Sequence, residues 1–296
     1  MALFLSIFPI VLLIYLMVKR NALPSYVALP WIAAVVLIIH LVFFATDVSI
    51  ISAKIASAVV DVLTPVTVIF GAILFNRFSE VSGVTNTLRK WLGNINPNPV
   101  AQLMIIGWAF AFMIEGASGF GTPAAIAAPI LVGLGFNPIR VAIVALIMNS
   151  VPVSFGAVGT PTWFGFGPLN LPEDKILEIG SMTATIHSIA AFIIPVIALS
   201  FIVTWKEIRQ NIVFIYVLAC VAPYFLLAQV NYEFPSLVGG AIGMFLSIFL
   251  ANKGIGLAKV ENTLDNTAVT GKEVAKALLP TGLLIVFLIL TRVKQL

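Results

Sequence analysis

Met113-Ile114-Glu115-Gly116-Ala117-Ser118-Gly119-Phe120-Gly121-Thr122-Pro123 sets one carboxylate against a glycine-rich break, with apolar sequence on both sides. Hydrocarbon tolerates neither a bare carboxylate nor unpaired backbone. A chain that places both at membrane depth is lining a polar site. Composition outside this stretch agrees. The chain is 60% hydrophobic and 9% charged, with mean hydropathy +1.11, whereas a soluble domain carries about 25% charged residues. The fold class is therefore an all-α integral membrane protein with many helices. The net charge of +4 is modest, and the cations fall between apolar runs as cytoplasmic loops require, which argues against nucleic acid as a partner. Cys220 stands alone in an apolar run. That excludes a disulfide framework and a thiolate metal site, and no metal or cofactor is expected.

Apolar runs near the roughly 20 residues needed to cross a bilayer recur along the chain. They lie at Ala2–Val18, Ser25–Ala45, Val59–Asn76, Val100–Glu115, Thr122–Leu134, Ile139–Val158, Gly180–Trp205, Asn211–Val230, Ser236–Ala251 and Val274–Leu290. Positive charges follow the first run rather than precede it, at Lys19 and Arg20, so the run reads as a retained helix and not a cleaved signal. Arg77, Arg89, Lys90, Lys206, Arg209, Lys253 and Lys259 share one side with them by loop counting, and Arg140 joins them. The opposite loops hold Asp47 with Lys54, then Glu173-Asp174-Lys175-Glu178, then Glu233. The positive-inside rule makes the first set cytoplasmic and the amino terminus external. Arg292 and Lys294 fall on the outside by this count, against the rule. Arg77–Pro99, ending in Asn94-Ile95-Asn96-Pro97-Asn98-Pro99, reads as an interfacial helix and turn. Asn252–Lys272 reads as the one long polar loop.

The fourth and fifth runs are short. At 1.5 Å per residue they reach roughly 24 and 20 Å, against a hydrocarbon core of about 30 Å. Short runs interrupted by Gly and Pro point to a transporter site. Residues 100–135 are therefore read as a re-entrant hairpin, and 139–168 as a broken-helix region, within a single transmembrane domain over 1–296. Two full crossings give the same charge parity as a hairpin.

Gly-Thr-Pro occurs twice, at Gly121–Pro123 and Gly159–Pro161. Gly permits a sharp turn, Thr is a good N-cap and Pro is preorganised for the first helical turn. Each tripeptide reads as the start of a half-helix, whose free N–H groups attract anions. Glu115 sits where low dielectric and a helix carboxyl end both oppose a charge, which suits proton coupling. Asn149, Ser150, Pro152 and Ser154 interrupt the next helix. The carbonyls freed there need partners, from a solute path or from healing side chains. Trp163, Phe164 and Phe166 read as interface aromatics or cavity walls. His187 and His40 read as satisfied structural residues, Arg140 as a cytoplasmic anchor, and Asp61 as a charge at a helix amino terminus.

The run Glu115–Pro123, then Leu131-Val132-Gly133-Leu134-Gly135-Phe136, then Asn149-Ser150-Val151-Pro152-Val153-Ser154-Phe155-Gly156-Ala157-Val158-Gly159-Thr160-Pro161, resembles the L-lactate permease family. The match is strongest over Val100–Pro168. The resemblance implies a polytopic helical transporter that imports L-lactate, and often glycolate or D-lactate, with a proton across the bacterial plasma membrane. It also implies one repeat of an inverted-repeat carrier, a hairpin followed by a broken helix. Family members are much longer, so this chain resembles an amino-terminal half, and a homo-oligomer or complementary half-chain would complete the site.

On this reading Glu115 couples the proton. Gly116, Ser118, Gly119, Phe120, Gly121 and Thr122 bind a small 2-hydroxy monocarboxylate from the hairpin tip, and Asn149, Ser154, Gly156, Gly159 and Thr160 from the broken helix. Two other classes compete. A half-carrier subunit would be inactive alone. An intramembrane serine protease would use Gly116-Ala117-Ser118-Gly119 as the nucleophile motif and His187 as the base; the four-residue match and the early Pro123 weigh against it.

Overall fold

The computed structural model describes residues 1–261 and 269–291. Arg292 and Lys294 lie outside the described residues, as does part of the polar loop expected over Asn252–Lys272. Regular structure among the described residues is helical throughout. The chain divides into two compact units, Met1–Thr67 and Val68–Leu296.

In the first unit, α1 (Ala2–Val18) packs on α2 (Ser25–Val42), and α3 (Val48–Asp61) follows. The third apolar run, expected to start at Val59, starts eleven residues earlier. Asp47 caps it by accepting from Ser49 N at 2.7 Å, and one Lys in a helix-forming stretch does not break a helix. Lys54 is thus helical rather than in a loop. Asp61 closes α3 instead of opening a helix, and accepts from Ser57 Oγ at 3.1 Å. With α4 (Leu63–Val81) it forms a 34-residue stretch apolar enough to cross a membrane. Ser25–Val42, Pro99–Ser118 and Pro235–Asn252 are the other such single helices among the described residues.

The second unit is built around α6 (Pro99–Ser118), which follows the amphipathic α5 (Val84–Gly93). Asn98 caps α6 by accepting from Val100 N at 2.9 Å and Ala101 N at 3.4 Å. Its middle, Leu103–Phe110, is wound as a π-helix. The run expected to end at Glu115 continues through Gly116, Ala117 and Ser118, so this arm is 20 residues long, about 30 Å, and not short. The second arm, α7 (Thr122–Gly133), has 12 residues. Next come α8 (Pro138–Met148), a 3-10 turn at Pro152–Phe155 and α9 (Gly156–Phe166), whose first four residues form a non-helical kink before the helix proper at Thr160. The axis bends by 63° between Pro138–Met148 and Pro152–Leu169.

α10 (Glu173–Ala190) begins inside the acidic segment expected as a loop. Glu173 and Asp174 occupy its first turn, where carboxylates complement the helix dipole. The seventh run breaks before α11 (Ile194–Leu199) because Pro195 cannot continue the hydrogen-bond ladder. The short α12 (Trp205–Gln210) leads to α13 (Val213–Ala228), α14 (Pro235–Asn252) and α15 (Gly271–Leu290). α14 packs closely on both α6 and α13. The backbone at Gly116 touches Ser236 and Leu237, and that at Gly240 touches Phe112 and Met113. Gly239 and Gly243 lie on Tyr224 and Cys220. Small residues at such crossings let helix backbones approach, which is the main source of packing energy inside a bilayer.

Candidate functional site

The carboxyl end of α6, the turn Gly119–Gly121 and the break before α9 meet around Glu115. Its side chain is 1% exposed. Asn149, at the end of α8, hydrogen-bonds the carboxyl. The backbone at Gly156 lies flat against it, so a β-carbon there would overlap Glu115 Oε1. Gly119 closes the contact from the other side. A β-carbon on it would lie 2.9 Å from both the Cβ and N of Ala157.

Both Gly-Thr-Pro tripeptides sit at helix starts, but the cap is the glycine and not the threonine. Gly121 (φ 78°, ψ 3°) caps α7 and Thr122 is the first helical residue. Gly159 (φ 70°, ψ 12°) stands before Thr160 in the same conformation. Pro at the second helical position fixes this register. Each glycine ends a run of three residues at positive φ. Gly119 and Phe120 precede Gly121 at 57° and 52°, and Ala157 and Val158 precede Gly159 at 44° and 54°. A left-handed non-glycine residue costs about 1–2 kcal/mol, and for β-branched Val158 it is a marked outlier. Such strain concentrates at functional sites held by their surroundings.

Those surroundings are polar side chains that take up the carbonyls of the break. Pro152 O accepts from Ser236 Oγ at 2.6 Å, Ser154 O from Thr162 Oγ1 at 2.8 Å, and Val158 O from Trp163 Nε1 at 3.3 Å. The Thr160 hydroxyl donates to Ala157 O, and His187 to the Val151 carbonyl. The break is healed mostly from outside the stretch that Ser and Asn were expected to serve. Nothing local marks Ser236 or His187 for this task, since they lie far along the chain. Trp163 is a bonding partner, as well as packing edge-on against Phe164 at 6.0 Å.

The tip likewise satisfies itself. Gly119 N donates to Glu115 O at 2.9 Å, Thr122 N to Gly119 O at 3.0 Å, and Ser118 Oγ to Ile114 O at 2.9 Å. The donors expected to face a ligand at Ser118, Gly119, Thr122 and Thr160 are thus engaged within the chain. Phe120 and Gly121 are exposed, while Gly116, Ser118, Gly119, Thr122, Gly156, Gly159 and Thr160 are buried, and Asn149 and Ser154 half-buried. What remains unpaired is acceptor chemistry. Glu115 Oε2 and Asn149 Oδ1 are buried without a hydrogen-bond partner among the described residues. Two orphan acceptors on one contacting pair call for a proton or a hydroxyl donor.

Ser118 and His187 have separate partners, Ile114 O and Tyr224 Oη, so the geometry offers no nucleophile–base pair. His40 bonds Thr46 Oγ1 at 3.2 Å, and Arg140 is exposed. No group of three His, Cys, Asp or Glu suited to a metal occurs among the described residues.

The family profile of L-lactate permease matches residues 2–296. A Haemophilus influenzae protein whose L-lactate permease name is provisional is 77% identical over 294 residues, 99% of this chain and 55% of that protein. The L-lactate permease of Escherichia coli K12 is 28% identical over 286 residues, 92% of this chain and 51% of its own length. The glycolate permease of the same organism is 30% identical over 144 residues, 49% of this chain and 25% of that one. The chain thus spans about half the length of the first two relatives. No solved structure matches it. A multi-pass helical architecture, the Glu115 site between two Gly-Thr-Pro turns, and a profile match from residue 2 to residue 296 together place the chain in the L-lactate permease family.

Proposed function

We propose that this chain forms the proton-coupling half of a carrier. The carrier moves L-lactate, and similarly small 2-hydroxy acids such as glycolate or D-lactate, with a proton across the bacterial plasma membrane. The observation that carries the reading is the pair of orphan acceptors, Glu115 Oε2 and Asn149 Oδ1, enclosed between the hairpin tip and the broken helix. A carboxylate buried there is costly while ionised. A proton on Glu115 removes that charge and supplies a donor to Asn149 Oδ1. A substrate 2-hydroxyl is the other donor that fits, and its carboxylate is drawn to the amino ends of α7 and α9. Loading proton and hydroxy acid together neutralises the acid before the carrier changes state. The empty, ionised form moves poorly. The arms α6 and α7 act as a re-entrant hairpin, and α8 with α9 as the broken helix beside it. The names of the Escherichia coli relatives, one for L-lactate and one for glycolate, support a pocket that tolerates loss of the substrate methyl. Such a group is worth only about 1–3 kcal/mol.

Glu115→Gln keeps the shape and removes the titrating proton. Lactate exchange between equal concentrations is expected to persist while uphill uptake driven by a proton gradient is lost. Undiminished uphill uptake by this variant overturns the coupling role. The coverage of about half of each long relative favours a second reading, in which the unit transports only with a complementary half-chain or a second copy. Reconstitution of the chain in proteoliposomes with an inward proton gradient, alone and beside the remainder of a relative, separates the two.

A further inference from the structure

His187 lies on α10 and meets the site at the break, through the Val151 carbonyl. Its Nδ1 is 3.3 Å from Tyr224 Oη, and its ring also hydrogen-bonds the Val151 carbonyl. A carbonyl only accepts, so the ring proton goes to Val151 and the Tyr224 hydroxyl donates to Nδ1. Val151 lies two residues after Asn149, inside the break. Its neighbour Pro152 accepts at its carbonyl from Ser236 Oγ at 2.6 Å. The segment that presents Asn149 to Glu115 is thus fastened by two side chains from two other helices.

Tyr224 extends the link to α6. Its fully buried ring meets Phe112 and Phe155 edge-on, with centroids 5.5 Å away in both cases. Phe112 sits one turn before Glu115. Phe155 immediately precedes Gly156, whose backbone lies on the Glu115 carboxyl. One imidazole–phenol pair therefore touches both elements that meet at the acid, without touching the acid.

We propose that His187 is a positioning residue of the carrier. By holding the Val151 carbonyl, it fixes the place from which Asn149 reaches Glu115. The inference rests on the carrier reading for its effect on transport, but not for its geometric core.

Two readouts separate these levels in cells and membranes carrying the protein. The first is the infrared carbonyl band of the Glu115 carboxyl, identified by its loss in Glu115→Gln. It is expected to shift in His187→Ala in the same direction as in Asn149→Ala, and to stay at the wild-type position in His187→Gln. Gln retains a donor for Val151 and an acceptor for Tyr224. The second is the KM for lactate counterflow. His187→Ala is expected to raise it about tenfold, as for one lost buried hydrogen bond. His187→Gln restores it, and His187→Ala adds nothing to Asn149→Ala in the double variant. A band unmoved by His187→Ala, or KM effects that multiply with those of Asn149→Ala, overturns the proposal. Should His187→Ala fail to accumulate, Tyr224→Phe decides, because the ring stays and only the hydroxyl goes. A shifted Glu115 band supports the proposal, and an unshifted one rejects it. Absence of lactate counterflow in the wild type, with the band behaving as expected, rejects the carrier reading and leaves the positioning role standing.

Discussion

Gly156→Ala is the sharpest test of the packing around Glu115. Gly156 has φ −67° and ψ 159°, a conformation open to any residue, so the substitution brings no backbone strain. Its methyl group would overlap Glu115 Oε1 and stand 3.1 Å from Cδ and 3.3 Å from Cγ. Overpacking of this kind costs about 1–3 kcal/mol. If the carboxyl swings away from Asn149, a buried hydrogen bond worth about 1–3 kcal/mol goes too. The expected destabilisation is therefore about 2–6 kcal/mol. Gly165 lies beyond the kink, in the helical part of α9, with open space around it, so Gly165→Ala is the control, and it should gain about 0.5–1 kcal/mol in helix propensity. Thermal unfolding of the purified protein in detergent reads both. The cycle with Glu115→Ala then assigns the cause: with the carboxyl gone, Gly156→Ala should lose most of its cost. A melting temperature unchanged by Gly156→Ala, or a cost that survives the removal of Glu115, refutes the reasoning.

Asn98 accepts from two amides of α6 and donates to Asn211 Oδ1 at 2.9 Å and Ala258 O at 3.0 Å. Asn98→Ala is expected to cost about 2–4 kcal/mol through groups left unpaired, read by the same melts. In the loop helix α12, Thr204 N and Oγ1 both donate to Glu207 Oε2 at 2.7 Å, and these bonds hold the Glu207 carboxyl below its ordinary 4.5. A depressed carboxyl stabilises above its unfolded pKa and stops doing so as pH falls through the folded one. Wild type should therefore melt above Glu207→Gln at neutral pH, with the gap closing below about pH 4.5; a gap that is constant with pH argues against the linkage. Phe120→Cys offers a thiol at an exposed site while the native Cys220 is fully buried, so an impermeant maleimide should report on the tip with little background. Protection from the outer face fits a re-entrant tip, and free labelling from that face fits two crossings.

The sequence made the local chemistry of the site legible and the distant chemistry not. Gly121 and Gly159 could be placed at helix starts because glycine conformation and proline position act over a few residues. The threonines read as the caps, but a proline at the second helical position makes Thr122 the first helical residue and leaves the cap to Gly121. Hydropathy penalises Lys54 while helix formation ignores a single lysine, so α3 begins well before the apolar run. Ser118 and Thr160 read as ligand donors in the sequence, and in the structure each hydroxyl donates to a nearby carbonyl. Ser236, His187 and Tyr224 carry no signal in their own neighbourhoods. Their value arises only where α10, α13 and α14 pass the break, and no periodicity encodes that meeting.

The burial of α6 has a consequence for biogenesis. Nearly all of it is buried, and α14, which packs closely on it, is synthesised more than a hundred residues later. When α6 leaves the ribosome, the surface that will cover Gly116 and Met113 does not yet exist. Glu115 must therefore wait against lipid or the insertion machinery with neither Asn149 nor Gly156 in place, and the favoured waiting form is the uncharged acid. The proton proposed to travel with substrate in the mature carrier would thus first serve the newborn helix as its passport into the membrane.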